Sequence, residues 1–300
     1  MSSDPAPPPA GRGALITVPV LHGRLEFAVA VRQALEGTRP DCVAVELPET
    51  LRRWVLKAVA RLPLLSVVMY HDERSLPVYL PIEPADPLVE ALRLGLEREL
   101  PVHLVDRDVD RYRPHHERMP DPYAVRRLGH QRYVEAAREA MEQAEPDPAD
   151  AGREQVMAFH LRRLLEQHER VLFVCGMAHA HRVERLVADP GLTEPLRRVR
   201  REGVTLYHLA RDSSREVMAE MPYLSAAYEA ARGGGVNALE GLDRLQLQVQ
   251  LAGRAREAHE QESGERVPRA ALSTMFRFAR NYALVEGRLA PDLYQLAVAA

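Results

Sequence analysis

Lysine is nearly absent from the sequence: Lys57 stands alone, and arginine supplies the rest of the 40 basic residues against 43 acidic ones. The formal net charge of −3 gives no electrostatic basis for binding nucleic acid or an anionic membrane surface. Long hydrophobic runs are missing too, because no apolar stretch approaches the roughly 18 residues that a membrane span requires. The composition therefore predicts a cytoplasmic protein with no nucleic-acid partner and no membrane partner.

Cysteine is scarce as well, and both Cys42 and Cys175 stand in apolar runs typical of strands. This usage indicates buried, reduced thiols rather than a disulfide framework. The first 13 residues, MSSDPAPPPAGRG, have neither the basic nor the apolar region of a secretion signal. Because they are polar and rich in proline, residues 1–13 are predicted to form a disordered tail.

Between residues 14 and 210, apolar strand-like runs alternate with amphipathic helical patterns. Such alternation is typical of βαβ units, and it predicts an α/β domain with a mostly parallel or mixed central sheet flanked by helices. The predicted strands are 14–21, 42–47, 64–70, 77–82, 102–106, 171–176 and 204–210. The predicted helices are 26–37, 51–62 with Thr50 as its N-cap, 87–100, 123–143, 151–168, 180–188 and 194–202.

The pattern changes near residue 211, which divides the chain into further predicted segments. Residues 211–235 are predicted to connect two parts, because they end in Gly-Gly-Gly, the clearest flexible joint of the sequence. Residues 236–300 are predicted to form a helical extension. Its last residues, 287–300, are apolar and lack a capping signal, so we expect a protein partner, or a region missing from a cropped chain, to cover them.

Polar side chains follow four of the predicted strands. His22 comes after the first strand, Glu46 ends the second, Asp106 and its neighbours end 102–106, and His179 follows 171–176. Because ligands bind beyond the carboxyl ends of parallel strands, these side chains are predicted to share one site. Imidazoles and carboxylates are ligands of hydrolytic zinc or manganese, and without a metal they can share acid–base work on water.

Two electrostatic expectations accompany this site. Glu46 lies between Val45 and Leu47, so partial burial is expected to raise its pKa. His179 is predicted in the first turn of a helix, where the helix dipole would keep its ring neutral.

The remaining polar candidates at the site have secondary roles. Asp106 is predicted as a further ligand or an orienting group, and Arg107 as an anchor for a substrate carboxylate or for the site loops. His181 is secondary to His179, and His71 is an outside candidate. Each of these residues also has a purely structural interpretation, as a turn cap or an ion pair. The histidines of the polar loop, His115 and His116, are expected at the surface.

At these motifs the chain resembles the TraB/PrgY/GumN superfamily, which includes the TIKI proteases and has erythromycin esterases and ChaN-like proteins as more distant relatives. The resemblance covers roughly residues 14–210 and rests on the strand that ends at His22, VAVELPETLRR, VHLVDRDV and CGMAHAHRV. TIKI-type members carry two G-x-x-H motifs and an acidic residue. Gly176 to His179 matches the second motif, whereas Pro19 stands where the first motif has glycine.

The resemblance implies a metal-dependent hydrolase that acts on a peptide or amide bond of a peptide or small-molecule substrate. In this interpretation His22, Glu46 and His179 hold a divalent metal ion, such as zinc, manganese or cobalt, and carry the catalysis. One alternative is a non-catalytic binding or scaffold module of a larger assembly with a vestigial pocket. Another is an esterase in which His22 and Glu46 activate water without a metal.

Overall fold

The structure, a computed structural model, describes residues 13–109, 119–141, 148–195 and 201–300. Residues 1–12 of the predicted tail, as well as His115 and His116, lie outside the described residues. The strands are β1 (Ala14–Val20), β2 (Cys42–Pro48), β3 (Ser66–His71), β4 (Pro77–Ile82), β5 (Val102–Asp106), β6 (Arg170–Gly176) and β7 (Thr205–His208).

Helices connect these strands and dominate the C-terminal third. The helices are α1 (Leu25–Thr38), α2 (Arg52–Val59), α3 (Pro87–Glu97), α4 (Val125–Leu128), α5 (His130–Met141), α6 (Pro148–Leu165), α7 (Met177–Ala188), α8 (Ser214–Val217), α9 (Pro222–Arg232), α10 (Gly235–Glu240), α11 (Arg244–Ser263), α12 (Arg269–Val285) and α13 (Leu293–Ala299). No helix among the described residues has the length and apolar character that crossing a membrane requires.

The central element is a four-stranded parallel sheet in the order β1-β6-β2-β5. Its strands are nearly continuous apolar runs because helices cover both faces. On one face α1 and α3 pack against Val43, Val45 and Val174, and on the other α6 and α7 pack against Ala44 and Phe173. The predicted α/β fold with flanking helices and a helical C-terminal part is confirmed.

A second, antiparallel sheet in the order β4-β3-β7 joins the same core. Its Val68, Tyr70 and Ile82 belong to the hydrophobic cluster that includes Val45 of the parallel sheet. The strands predicted at 64–70, 77–82 and 204–210 therefore exist, but they do not extend the parallel sheet. They stand beside its carboxyl edge, where β3 and β4 supply part of the wall of a cavity.

Two predicted helix boundaries are wrong, each for a local reason. Thr50 is not an N-cap: it lies in a short 3₁₀ turn, Glu49–Leu51, and its hydroxyl donates to Oδ2 of Asp108 at 2.6 Å. The helix predicted at 123–143 is interrupted at Gly129, whose φ of 78° ends α4 before α5 begins. Of the helix predicted at 194–202, residues 194–195 and 201–202 are described, and they are not helical.

The C-terminal helices pack onto α1 through a cluster that joins Leu25 and Ala28 to Tyr228 and Leu239. Buried ion pairs reinforce this contact, since the guanidinium of Arg244 binds Glu26 of α1 and Glu220. The boundaries proposed at residues 211 and 235 stay predictions.

The last helix is capped and partly covered by the chain itself. Asp292 accepts a hydrogen bond from the N–H of Gln295 at 2.8 Å, and Gln295 binds back to form a capping box. Leu296 of α13 is buried in the cluster that contains Tyr228, whereas Tyr294 keeps 66% of its surface exposed. A partner that covers residues 287–300 stays a prediction.

Candidate functional site

The pairing of β1 with β6 brings His22 to the end of β6. Val20 pairs with Gly176 in parallel register, so the chain that leaves β1 passes the last residue of β6. A side-chain carbon built on Gly176 would lie 3.1 Å from both Nε2 of His22 and Oε2 of Glu46. Glycine at this position therefore allows an imidazole and a carboxylate to approach the same point of the main chain, which a side chain would obstruct.

Proline at position 19 does not keep His22 from the site. Pro19 lies within β1, opposite Cys175 of β6, where its restricted φ suits an extended strand. The freedom that the turn requires is supplied by Gly23, which has a φ of 61° and donates its N–H to Oδ2 of Asp86 at 2.9 Å. The turn that carries His22 therefore takes its positive φ from the residue after the histidine.

A buried guanidinium group, that of Arg153 on α6, links the side chains at the carboxyl edge of the sheet. Its Nη2 donates to Oε1 of Glu46 at 2.5 Å and to Oδ2 of Asp106 at 2.7 Å. Its Nη1 donates to Oδ1 of Asp150 at 3.2 Å and lies 3.2 Å from Nε2 of His179. One permanent positive charge thus bridges three carboxylates, the type of pairing that buried charges require.

Glu46 is 6% exposed, and both of its carboxylate oxygens are bound. Oε1 receives the bond from Arg153, and Oε2 accepts the N–H of Gly176 at 2.5 Å. Burial alone would raise the pKa of Glu46, but His179, His22, Arg153 and the Gly176 N–H outweigh burial and lower it. The expected rise in the pKa of Glu46 is therefore wrong in direction, and this side chain is a carboxylate at neutral pH.

His179 lies between two carboxylates in the first turn of α7. Its Nδ1 is 2.8 Å from Oε1 of Glu154, and its Nε2 is 3.4 Å from Oε1 of Glu46. Burial lowers the pKa of His179, but the charge of Glu46 and the hydrogen bond with Glu154 outweigh burial and raise it. The helix dipole does not keep this ring neutral as expected, because the two carboxylates favour the imidazolium form.

Asp106, at the end of β5, is the second carboxylate on Arg153 and has a different electrostatic state. Burial raises its pKa to about 6, and the effect of Arg153 in the opposite direction does not cancel this rise. The negative charge of Glu46 beside it adds to the rise. Asp106 is therefore held by the same guanidinium as Glu46 but releases its proton at a higher pH.

A cavity of about 290 Å³ opens beside His22 and Glu46. Asp106 and Arg153 also reach its surface, whereas the rest of the wall is mainly apolar and comes from β2, β3, β4 and α3. A small cavity with a mostly apolar wall and a few polar groups at one side is the usual form of a site for a small ligand. The apolar residues of the wall include Leu47, Leu51, Tyr70, Val78, Leu80, Ile82, Leu88 and Val89.

Another carboxyl group, that of Glu83, reaches the same cavity. Its oxygens accept the N–H groups of Ala219 at 2.9 Å and of Glu220 at 3.2 Å. Burial raises the pKa of Glu83 to about 7, in spite of these two hydrogen bonds. Glu46, whose pKa is lowered, and Glu83, whose pKa is raised, thus border one cavity together with Asp106, and groups of unlike pKa at one cavity suit proton transfer.

Three of the predicted residues lie apart from the cluster around Glu46. Arg107 lines a larger cavity of about 560 Å³ together with Asp106, and its Nη1 would lie 2.8 Å from a side-chain carbon built on Gly152. His181 is half-buried on α7, and His71 is exposed at the end of β3. The structure therefore brings together His22, Glu46, Asp106 and His179, and it places Arg107, His181 and His71 elsewhere.

The sequence interpretation missed the three residues of α6 that complete the cluster, Asp150, Arg153 and Glu154. Charged residues of an amphipathic helix are normally assigned to its solvent side. Here they share the spacing i, i+3, i+4 with the buried Met157 and Leu161, so they continue the apolar stripe towards the sheet. This spacing is the sequence feature that could have placed the three charged residues on the buried side of α6.

As arranged, the donor set around His22 does not fit a divalent metal ion. Glu46 gives its oxygens to Arg153 and Gly176, and Nη1 of Arg153 lies 3.2 Å from Nε2 of His179. The guanidinium supplies the positive charge that an ion would bring. Metal binding by His22, Glu46 and His179 stays a prediction from the family resemblance.

Comparison with protein-family models, with curated proteins and with solved structures gives no match for this chain. The resemblance to the TraB/PrgY/GumN superfamily accordingly stays a prediction that rests on the four motifs.

Proposed function

We propose that the chain is a hydrolase that cleaves an acyl bond, in an ester, amide or peptide, of a substrate with a small apolar group. The observation that carries this proposal is that His22 and Glu46 stand at the polar side of a mainly apolar cavity. The cavity volume of about 290 Å³ limits the enclosed part of the substrate to a small group.

In the proposed reaction His22 is the general base. It takes a proton from a water molecule, whose oxygen then bonds to the carbonyl carbon of the substrate. The imidazolium that forms is stabilised by the carboxylate of Glu46, which Arg153 and the N–H of Gly176 hold in place. His179 does not border the cavity and acts as a positioning residue for Glu46.

Glu83 is the proposed general acid. A carboxyl with a pKa of about 7 keeps a large share of its proton at neutral pH. It gives that proton to the leaving group as the acyl bond breaks, and the proton held by His22 returns through solvent. Water is consumed, and an acid and an alcohol or amine are released.

The test is hydrolysis of p-nitrophenyl esters and anilides of increasing acyl length, in buffer that contains a chelator. We expect turnover that is best with short apolar acyl groups and falls by about 10³-fold in kcat/KM in His22→Asn. His71→Asn is the matched control, because His71 is exposed and lies outside the cavity. Equal rates in both variants, or no turnover on the whole series, would contradict the proposal.

A second candidate function is binding without catalysis. It is favoured by the saturation of Glu46, both of whose oxygens already accept hydrogen bonds. In this alternative the cavity holds a small apolar ligand, and the ionic cluster only fixes the carboxyl edge. Binding of the same acyl compounds without turnover, weakened by Leu88→Trp in the cavity wall, would favour this candidate over hydrolysis.

A further inference from the structure

A separate group of metal-binding residue types lies at the opposite edge of the parallel sheet, where its strands begin. Cys42 is the first residue of β2, His103 follows the first residue of β5, and His168 lies between α6 and β6. One donor atom of each residue lies within 4.8 Å of the other two. We propose that Cys42, His103 and His168 bind a transition metal ion of the zinc type.

The register of the sheet places the cysteine and the first histidine on the same face. His103 pairs with Ala44, which is two residues beyond Cys42 on β2. Alternate residues of a strand point to the same face, so the side chains of His103 and Cys42 share the face covered by α6. Their proximity is thus a consequence of strand pairing rather than of a mobile loop.

The second histidine is held in place by Asp41, the residue before Cys42. The carboxylate of Asp41 accepts the N–H groups of Glu169 at 3.0 Å and Arg170 at 2.7 Å, and its Oδ2 lies 3.5 Å from Nδ1 of His168. A carboxylate beside a histidine is the usual partner that orients a metal-binding ring. Asp41 therefore ties the turn that carries His168 to the start of β2.

The main chain at Gly13 packs closely against the turn that carries His168 and fixes it further. A side-chain carbon built on Gly13 would lie 1.9 Å from the carbonyl oxygen of His168, so only glycine fits there. The N–H of Gly13 donates to the carbonyl of Leu165 at 2.8 Å, and that of Ala14 donates to Glu169 at 2.7 Å. The position of His168 is therefore built into the fold.

The donor set suits zinc. One thiolate and two imidazoles are typical zinc ligands, and three protein ligands leave a fourth position for water. Ideal zinc bonds would place the sulfur about 3.5 Å from each nitrogen, so closing around an ion requires movements of about 1 Å. His103 and His168 are half-buried, so an ion can enter from solvent, whereas Cys42 is fully buried behind them.

Metal binding requires the thiolate of Cys42. Burial raises the pKa of this thiol to about 12, so the bonds to the metal must offset the cost of its deprotonation. When the ion binds, the S–H bond of Cys42 breaks, its proton goes to solvent, and the sulfur electron pair bonds to the metal.

Cobalt(II) is the probe for this site, because a thiolate bound to cobalt gives a charge-transfer absorption in the near ultraviolet. We expect the full-length chain to bind one equivalent with that absorption, and zinc to displace it. Cys42→Ser should abolish the absorption, and His168→Gln should weaken cobalt binding at least tenfold. Cys175→Ser is the matched control, because Cys175 is the other buried thiol and lies near the end of β6, whereas His168 lies just before its start.

The proposal is overturned if the unaltered chain shows no such absorption, or if Cys42→Ser retains it. His168→Gln changes a half-buried residue outside the strands, so it tests the proposal even if Cys42→Ser fails to fold. Glu46→Gln separates this proposal from the hydrolase, because its cobalt absorption should equal that of the unaltered chain. Loss of cobalt binding in Glu46→Gln but not in His168→Gln would assign the ion to the other edge of the sheet.

Discussion

The carboxyl edge and the amino edge of the parallel sheet differ in whether an arginine is bound to their polar side chains. At the carboxyl edge, the guanidinium of Arg153 lies between Glu46 and Asp106. At the amino edge, no hydrogen bond among the described residues joins an arginine to Cys42, His103 or His168. A protein cation thus already occupies the carboxyl edge, whereas we propose that the donor set of the amino edge binds a cation from solvent.

The largest effect should come from removing the protein cation. Arg153→Met leaves Glu46, Asp106 and Asp150 buried without their partner, and we expect a loss of about 3–5 kcal/mol in the free energy of unfolding. Urea unfolding measures this loss. Arg215→Met is the control, since its ion pair with Glu216 is exposed and should change stability by less than about 0.5 kcal/mol. A loss below about 1 kcal/mol in Arg153→Met would contradict the claim that Arg153 balances the buried carboxylates of the carboxyl edge.

Glu83 forms no ion pair with an arginine among the described residues, and its burial should destabilise the fold as the pH rises. Glu83 has a pKa of about 7 in the folded chain against a usual value of 4.5, so the folded state holds its proton more tightly. The folded state therefore loses stability as the pH rises from the pKa of Glu83 in the unfolded chain through its pKa in the folded chain. We expect Glu83→Gln to gain, relative to the unaltered chain, on the order of 3 kcal/mol between about pH 4 and about pH 8.

Glu97→Gln is the control for that pH series. Burial would raise the pKa of Glu97, but its hydrogen bonds with Arg232 outweigh burial and lower it. Stability from this group is present at neutral pH and is lost as the pH falls through its folded pKa, so the variant should lose stability at neutral pH and differ least in acid. The same sign of change in both variants would contradict the assignment.

Zinc should stabilise the chain through the amino edge. At a concentration about a hundredfold above its Kd, an ion that binds only the folded chain adds about 2.7 kcal/mol to the free energy of unfolding. Thermal unfolding with and without zinc measures this gain, which should fall to about 1.4 kcal/mol or less in His168→Gln, because its affinity is expected to be at least tenfold weaker. His160→Gln, a change in a neighbouring histidine of α6 outside the group, should keep it. An equal gain in both variants would point to a different zinc site.

The smallest effect on the free energy of unfolding should come from Arg182, at the solvent side of the ionic cluster around Arg153. Arg182 donates to Oε1 of Glu154 at 2.7 Å but is partly exposed, and Glu154 keeps its contact with His179 when this arginine is lost. We expect Arg182→Gln to cost about 1 kcal/mol in urea unfolding. If Arg182→Gln costs as much as Arg153→Met, the buried Arg153 does not stabilise the chain more than the partly exposed Arg182.

Much of the fold and part of the candidate site follow from the sequence. The alternation of apolar runs and helical patterns predicts the strands, and the carboxyl ends of parallel strands bring His22, Glu46 and His179 to one edge. Their electrostatics could not be predicted this way. The pKa of Glu46 is lowered by His179, His22 and Arg153, and the pKa of His179 is raised by Glu46 and Glu154. The sequence does not give the distances between these side chains, and Arg153 and Glu154 lie on α6, more than a hundred residues from Glu46.

The amino edge could not be predicted for a different reason. Cys42 is recognisable as a buried thiol, but its neighbours depend on strand order and register. His103 reaches it because β5 pairs with β2 at Ala44, and His168 reaches it because Asp41 holds the turn before β6. Neither contact leaves a pattern in the local sequence, so the group emerges only when the sheet is assembled.

The most direct measurement of the difference between the two edges is the zinc content of the chain after loading and removal of excess ion. It is compared between the unaltered chain, Cys42→Ser and His179→Asn. We expect one zinc per chain in the unaltered protein and in His179→Asn, and none in Cys42→Ser. Zinc kept by Cys42→Ser and lost from His179→Asn would contradict this expectation, because the ion would then lie at the carboxyl edge in place of Arg153.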